Sequence, residues 1–331
     1  MKNCFGPGFR RSAGFFLGLG IFLLVITCSL AKTTWTTFPP SPPGNYFPCH
    51  SAKKLKIVAT ILPLQEFAQA VCQEKGEIDL LIPPGVDIHS WSPRPSHLQG
   101  LAQADCFLFV GKDLEPWISE IRNSVTAPSL RWVEVAQVLN VQKDRISLPG
   151  AHHSHHHDPH LWLDFEIDVK IIDLLVDVFS EVLPEEAAYF RQNGQRYQDE
   201  LEKLDKLYAA SLANCRQRIF VVGGHAAFGY LAHRYGLQQI ALSGVTPDAH
   251  PSTRTFVEII KLMKNNNIKT VFVDPFSPIR LAKALAAETG ATIVTLNPGV
   301  LFPPEKKDQP GIFLSIMREN LEKLKNALGC Q

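Results

Sequence analysis

Residues 184–214 read PEEAAYFRQNGQRYQDELEKLDKLYAASLAN. Phe190, Gly194, Tyr197, Leu201, Leu204, Tyr208 and Leu212 recur every three or four positions, which makes one apolar stripe along a helix. Gln195, Asp199, Glu202 and Lys206 fill the other faces. Pro184, Glu185 and Glu186 form a start signal, with proline and acids in the first turn. The pattern predicts a helix from Pro184 to Asn214, about 45 Å long at the usual rise per residue. No Gly/Ser hinge lies at either end, so the segment reads as a rigid strut.

Working outward, both flanks alternate short apolar runs with longer helical patterns. On the N-terminal side the strands are Leu55–Thr60, Ile78–Ile82 and Cys106–Val110, and the helices Leu64–Gln73, Pro95–Gln103 and Trp117–Ser124. On the C-terminal side the strands are Ile219–Val222, Gln239–Leu242, Thr270–Val273 and Thr292–Leu296. The helices there are Ala227–Tyr235, Thr253–Asn265, Ile279–Thr289 and Ile312–Leu328. Strands alternating with helices argue for parallel βαβ units. The fold class is therefore α/β, with two lobes of parallel sheet joined by one long helix.

The chain has 331 residues, enough for two domains that each bury a core. Net charge is +1 with histidine neutral, which gives no basis for nucleic-acid binding or a polybasic membrane patch. The beginning reads as a leader. Lys2, Arg10 and Arg11 precede an apolar run from Gly14 to Ile26, too short to span a bilayer comfortably but suited to a secretory signal. Cleavage after Ala31, lipidation at Cys28 behind the unfavourable Thr27, and retention as an anchor all place the mature chain outside the cytoplasm. Residues 32–53 are rich in Pro and Thr and read as an extended tether. The expected division is a leader at 1–31, a tether at 32–53, an N-terminal lobe at 54–183, a linker helix at 184–214 and a C-terminal lobe at 215–331.

Of seven cysteines, Cys4 and Cys28 fall in the leader. Cys72 and Cys106 have apolar neighbours and read as buried thiols. Cys49, Cys215 and Cys330 remain, and a Cys215–Cys330 bridge is conceivable but undecided by sequence.

Five of twelve histidines crowd into one stretch: His152, His153, His155, His156 and His157. Neutral imidazole suits Zn²⁺. Pro149-Gly150 before the run marks a loop, and its internal position argues against a purification tag. It reads as a mobile, auxiliary metal-collecting loop within 151–157. His160 follows in Asp158-Pro159-His160-Leu161-Trp162-Leu163-Asp164, where a turn and an apolar anchor fix the ring. Asp158 or Asp164 is placed to accept the proton on its other nitrogen. His89 follows the second strand and His225 follows Gly223-Gly224 after a later strand, opening a helix at Ala226. Both sit at carboxyl ends of strands, the edge where open parallel sheets bind ligands.

The chain resembles the zinc and manganese branch of the ABC-transporter solute-binding proteins, the cluster A-I family. The resemblance is carried by Ile57-Val58-Ala59-Thr60-Ile61-Leu62-Pro63-Leu64, Pro84–Pro93, Leu114-Glu115-Pro116-Trp117, Asp158–Asp164, Gly224–Leu231 and Val271–Pro278, in the family's order. It implies two lobes bridged by a long helix and metal held in the cleft, with His89, His160 and His225 as ligands. Histidine at 225 favours zinc, because manganese members tend to have glutamate there. It further implies a monomer that passes Zn²⁺ to an ABC-type permease, with no catalysis.

Departures from the family are visible. Ser92 stands where glutamate is common, and Asn297 where an aspartate often supplies a fourth ligand. The fourth position is left to water, Asn297 or a loop histidine. Asp274 replaces a common glutamate and reads as structural, and His250 as a surface residue. A zinc hydrolase is the rival from another class, but HExxH and Gly-x-Ser-x-Gly are both missing. Mn²⁺ or Fe²⁺ would favour more oxygen ligands than these histidines offer.

Overall fold

The computed structural model describes residues 53–139, 157–245, 252–275, 278–306 and 309–331. The leader, nearly all of the tether, His152 to His156 and His250 lie outside the described residues.

The first lobe runs β1 (Leu55–Ala59), α1 (Leu62–Cys72), β2 (Gly76–Leu80), α2 (Pro95–Ala102), β3 (Cys106–Phe109), α3 (Ile118–Ser124), β4 (Arg131–Glu134) and α4 (Val135–Val138). Its strands pair in parallel in the order β2-β1-β3-β4. Two helices follow, α5 (Phe165–Val182) and α6 (Ala187–Leu212). The second lobe runs β5 (Ile219–Val222), α7 (Gly229–Arg234), β6 (Gln238–Ala241), α8 (Thr253–Asn265), β7 (Thr270–Val273), α9 (Ile279–Thr289), β8 (Thr292–Thr295) and α10 (Ile312–Leu328). Its parallel order, β6-β5-β7-β8, repeats that of the first. Cys106–Phe109 and Thr270–Val273 are buried at every position, as sheets covered on both faces demand.

The joining helix is shorter than its pattern suggested. Pro184–Glu186 forms a 3₁₀ turn, and the α-helix covers Ala187–Leu212. Nor does it stand alone. α5 lies along it, an element absent from the expectation, as β4 was. Asp164 caps α5 by accepting from Glu166 N, and Phe165, Ile171, Ile172, Leu175, Val176 and Phe179 form its buried face. The two helices approach closely at Gly194, where a Cβ would sit 2.6 Å from Val176 Cγ2. Phe190, Leu201, Leu204, Tyr208 and Leu212 of α6 are buried, each contributing about 1.5–3 kcal/mol.

The same stripe joins the lobes. Phe67 of α1 meets Phe313 of α10 edge-on at 5.4 Å, and Tyr208 OH donates to Met317 O at 2.5 Å. Glu66, also on α1, accepts from Tyr197 OH at 2.7 Å and from Phe313 N at 2.8 Å. α10 begins at Gly311, which has no capping side chain, so a carboxylate from the first lobe caps a helix of the second. Arg234 ties Asp205 of α6 to Asp164 and Glu166 at the start of α5. A disulfide joins Cys215 and Cys330, whereas Cys72 and Cys106 are free and buried as expected.

Candidate metal centre

Each sheet reverses its strand order beside its first strand, and the carboxyl edge at such a reversal is where open parallel sheets bind ligands. His89 lies in the loop after β2. Asp87 accepts from His89 N at 3.0 Å and from Ser90 Oγ at 3.3 Å, a local turn that sets the loop. His225 follows β5 through Gly223, where a Cβ would sit 2.6 Å from Ala282 Cβ and 2.9 Å from Val271 Cγ1. The strand end therefore packs against α9 at a distance no larger residue tolerates. The expected helix at Ala226 does not start there. Ala226 N donates to Gly244 O and Phe228 N to the Gln239 side chain, so the chain stays irregular until Gly229.

His160 is held most tightly. Asp158 Oδ1 accepts from His160 N at 3.0 Å and lies 2.7 Å from Nδ1 of the same ring. The 3₁₀ turn Leu161–Leu163 then plunges into the core, and Trp162 Nε1 donates to Pro298 O at 2.7 Å. Of the two aspartates weighed for His160, Asp158 takes the role. Asp164 caps α5 and pairs with Arg234 instead.

The structure brings His89, His160 and His225 together: one nitrogen from each lies within 4.8 Å of the others. Their rings form a near-regular triangle, with centroids 5.2, 5.2 and 5.4 Å apart. His160 and His225 are buried and His89 is half-buried. Burial, then the neighbouring imidazoles, lowers the His89 pKa to about 3. Burial first and His225 second push His160 well below its usual range. The His89 and His160 rings are thus held neutral with lone pairs available. Burial raises Asp158 to about 7 despite the His160 amide that favours its charge.

Neither nitrogen of His225 has an aligned hydrogen-bond partner, although Nδ1 lies 3.1 Å from Asp274 Oδ2. That separation is within reach; the alignment is what is missing. Buried acceptors without a partner are rare in folded proteins and call for a ligand. A tetrahedral zinc with Zn–N of roughly 2.0–2.1 Å holds its nitrogens about 3.3 Å apart. His89 Nε2 and His160 Nε2 are 3.3 Å apart.

The other expected participants fare differently. Asn297 is occupied within its own loop: Nδ2 donates to Leu301 O, and Oδ1 accepts from Gly299 N at 3.0 Å and Leu301 N at 3.4 Å. That amide is closing a turn, which removes it as a fourth donor. Ser92 is exposed and His157 is half-buried. Asp274 was read as structural, yet it lies against His225. The signal was present, an acid directly after a buried strand on the binding edge, but nothing in one dimension shows that β7 neighbours β5.

Comparison with known proteins gives a consistent picture. The model of the family described as zinc-uptake complex component A, periplasmic, matches residues 57–327. The high-affinity zinc uptake system protein ZnuA of Bacillus subtilis is 28% identical over 97% of this chain and 98% of its own. The zinc-binding protein AdcA of Streptococcus pyogenes is 30% identical over 82% of this chain, which spans 56% of that longer protein. A Zn(II)-bound variant of AdcAII from Streptococcus pneumoniae superposes with a TM-score of 0.72 at 27% identity, covering 83% of this chain and 99% of its own.

Proposed function

The chain belongs to the periplasmic zinc-uptake complex component A family, and on that premise we propose that it captures Zn²⁺ with His89, His160 and His225 and delivers it to an ABC-type permease. The family's role is transport, not catalysis. One observation carries the reading of the site. Three buried or half-buried histidines, on segments separated by more than sixty residues in sequence, gather one nitrogen each within 4.8 Å of the others, and the His89–His160 pair stands at the 3.3 Å spacing of a tetrahedral zinc.

The donor set also speaks to the choice of metal. Three neutral nitrogens suit zinc, whereas Mn²⁺ and Fe²⁺ favour oxygen-rich sites. With Asn297 engaged elsewhere, the fourth position falls to water or to a histidine of the loop within 151–157, the loop serving as an auxiliary collector. Two of the three ligands come from the first lobe and His225 from the second, so the ion fastens the lobes that α6 already spans. We place the working chain outside the cytoplasm, as a monomer. In this reading 1–31 is the leader, 32–53 a tether, 54–183 and 215–331 the lobes and 184–214 the linker.

The test is native mass spectrometry with metal analysis of tag-free protein, wild type beside His225→Ala. The wild type is expected to carry one tightly held zinc that the variant loses. A variant that keeps it would sink the three-histidine assignment.

A further inference from the structure

We infer that Asp274 is a positioning residue of the metal site, set against His225 Nδ1 and supplying negative charge that helps balance a bound dication. The inference rests on the three-histidine reading and extends it to a residue that reading does not use.

The placement follows from topology. Asp274 directly succeeds β7, and β7 pairs with β5, whose exit turn carries His225. Parallel strands bring both residues to one edge. Asp274 is 1% exposed and His225 3%. Oδ2 lies 3.1 Å from His225 Nδ1. A carboxylate this close to Nδ1 favours the proton there and leaves Nε2 as the donor to metal, the arrangement that Asp158 makes with His160 at 2.7 Å. His89 has no such support: Asp87 binds its backbone amide, not its ring.

Charge makes the second part of the case. Among the described residues, the metal-holding group contains three histidines and no carboxylate. A dication bound by neutral donors in a buried site would stand uncompensated, which is costly in a low-dielectric interior. Asp158 and Asp274 both lie against ligand rings and are buried. Their carboxylates place negative charge beside the ligand rings, where it opposes that of the ion.

The experiment compares wild type and Asp274→Asn by competition titration with Zn²⁺ and with Ag⁺, after melting curves on the metal-free proteins. D274N is expected to fold and to bind zinc roughly 10- to 100-fold more weakly, the usual cost of losing such a support. Its loss for Ag⁺ should be smaller, because the interaction of a carboxylate with an ion scales with the ion's charge. Should D274N melt below the titration temperature, Asp274→Ser is read by the same criteria. D274N binding zinc as tightly as wild type overturns the inference, as do equal losses for the two ions. Zinc retained by His225→Ala would instead overturn the underlying ligand set.

Discussion

The lobes share a sheet order, and each buries a carboxylate just beyond the strand that neighbours its first: Glu115 past β3 and Asp274 past β7. Their surroundings differ. Glu115 accepts from Thr60 Oγ1 at 2.6 Å, Val110 N at 3.2 Å and Gly111 N at 2.8 Å, binding the loop to the end of β1. Asp274 faces a histidine ring. A buried carboxylate beyond the corresponding strand thus serves as a fastener in one lobe and borders the candidate metal centre in the other. The cysteines divide the same way. The first lobe keeps Cys72 and Cys106 as free thiols, while Cys215–Cys330 seals the second at the start of β5, the edge opposite His225.

The comparison breaks most visibly at the disulfide. Replacing Cys215 and Cys330 by serine opens a loop whose ends are 115 residues apart. Chain-entropy arguments put the loss at up to about 5 kcal/mol. Urea unfolding should show it, and zinc affinity of the folded protein should be unchanged. The first lobe is probed next. Glu115→Ala strands one hydroxyl and two amides in the core, for an expected loss of about 3 kcal/mol, again with metal affinity unchanged. If E115A weakens zinc binding in folded protein, the division between fastener and metal-centre carboxylate fails.

The smallest effect is in pH. Burial raises Glu115 to about 7 against its ordinary 4.5. The folded protein then binds a proton between these values that the unfolded chain has released. That stabilisation is present at the acid end and fades as pH rises from about 4.5 to 7. Wild type should lose more stability than Glu115→Gln across that window and run parallel to it above, as followed by melting temperature.

Much of this was legible in one dimension. Buried strands declare themselves as short apolar runs, and the stripe on α6 is regular enough to number. The histidines of the centre lie in turn-rich strand exits, which separated them from the run at 152–157. α5 was missed although Asp164 is a cap and an apolar face follows. The stretch between the metal motif and Pro184 runs to some twenty residues, too long for a structureless loop in a compact domain. Asp274 and the cysteine pairing were not decidable, because both depend on which strands and termini become neighbours in space. Asn297 misled for a local reason: an amide that looks like a weak ligand is closing its own turn.

The carboxylate that caps a helix of the opposite lobe bears on how often the binding crevice exists. Parting the lobes strips Glu66 from Tyr197 or from Phe313 N, leaving the first turn of α10 bare. Each such hydrogen bond contributes about 1 kcal/mol net, somewhat more when an ion takes part. Every 1.4 kcal/mol makes the parted population roughly tenfold rarer. One such contact alone makes it roughly fivefold rarer, before Phe67 and Tyr208 are counted. On the proposed reading the three histidines are thus largely gathered before an ion arrives, and less affinity is lost in assembling them.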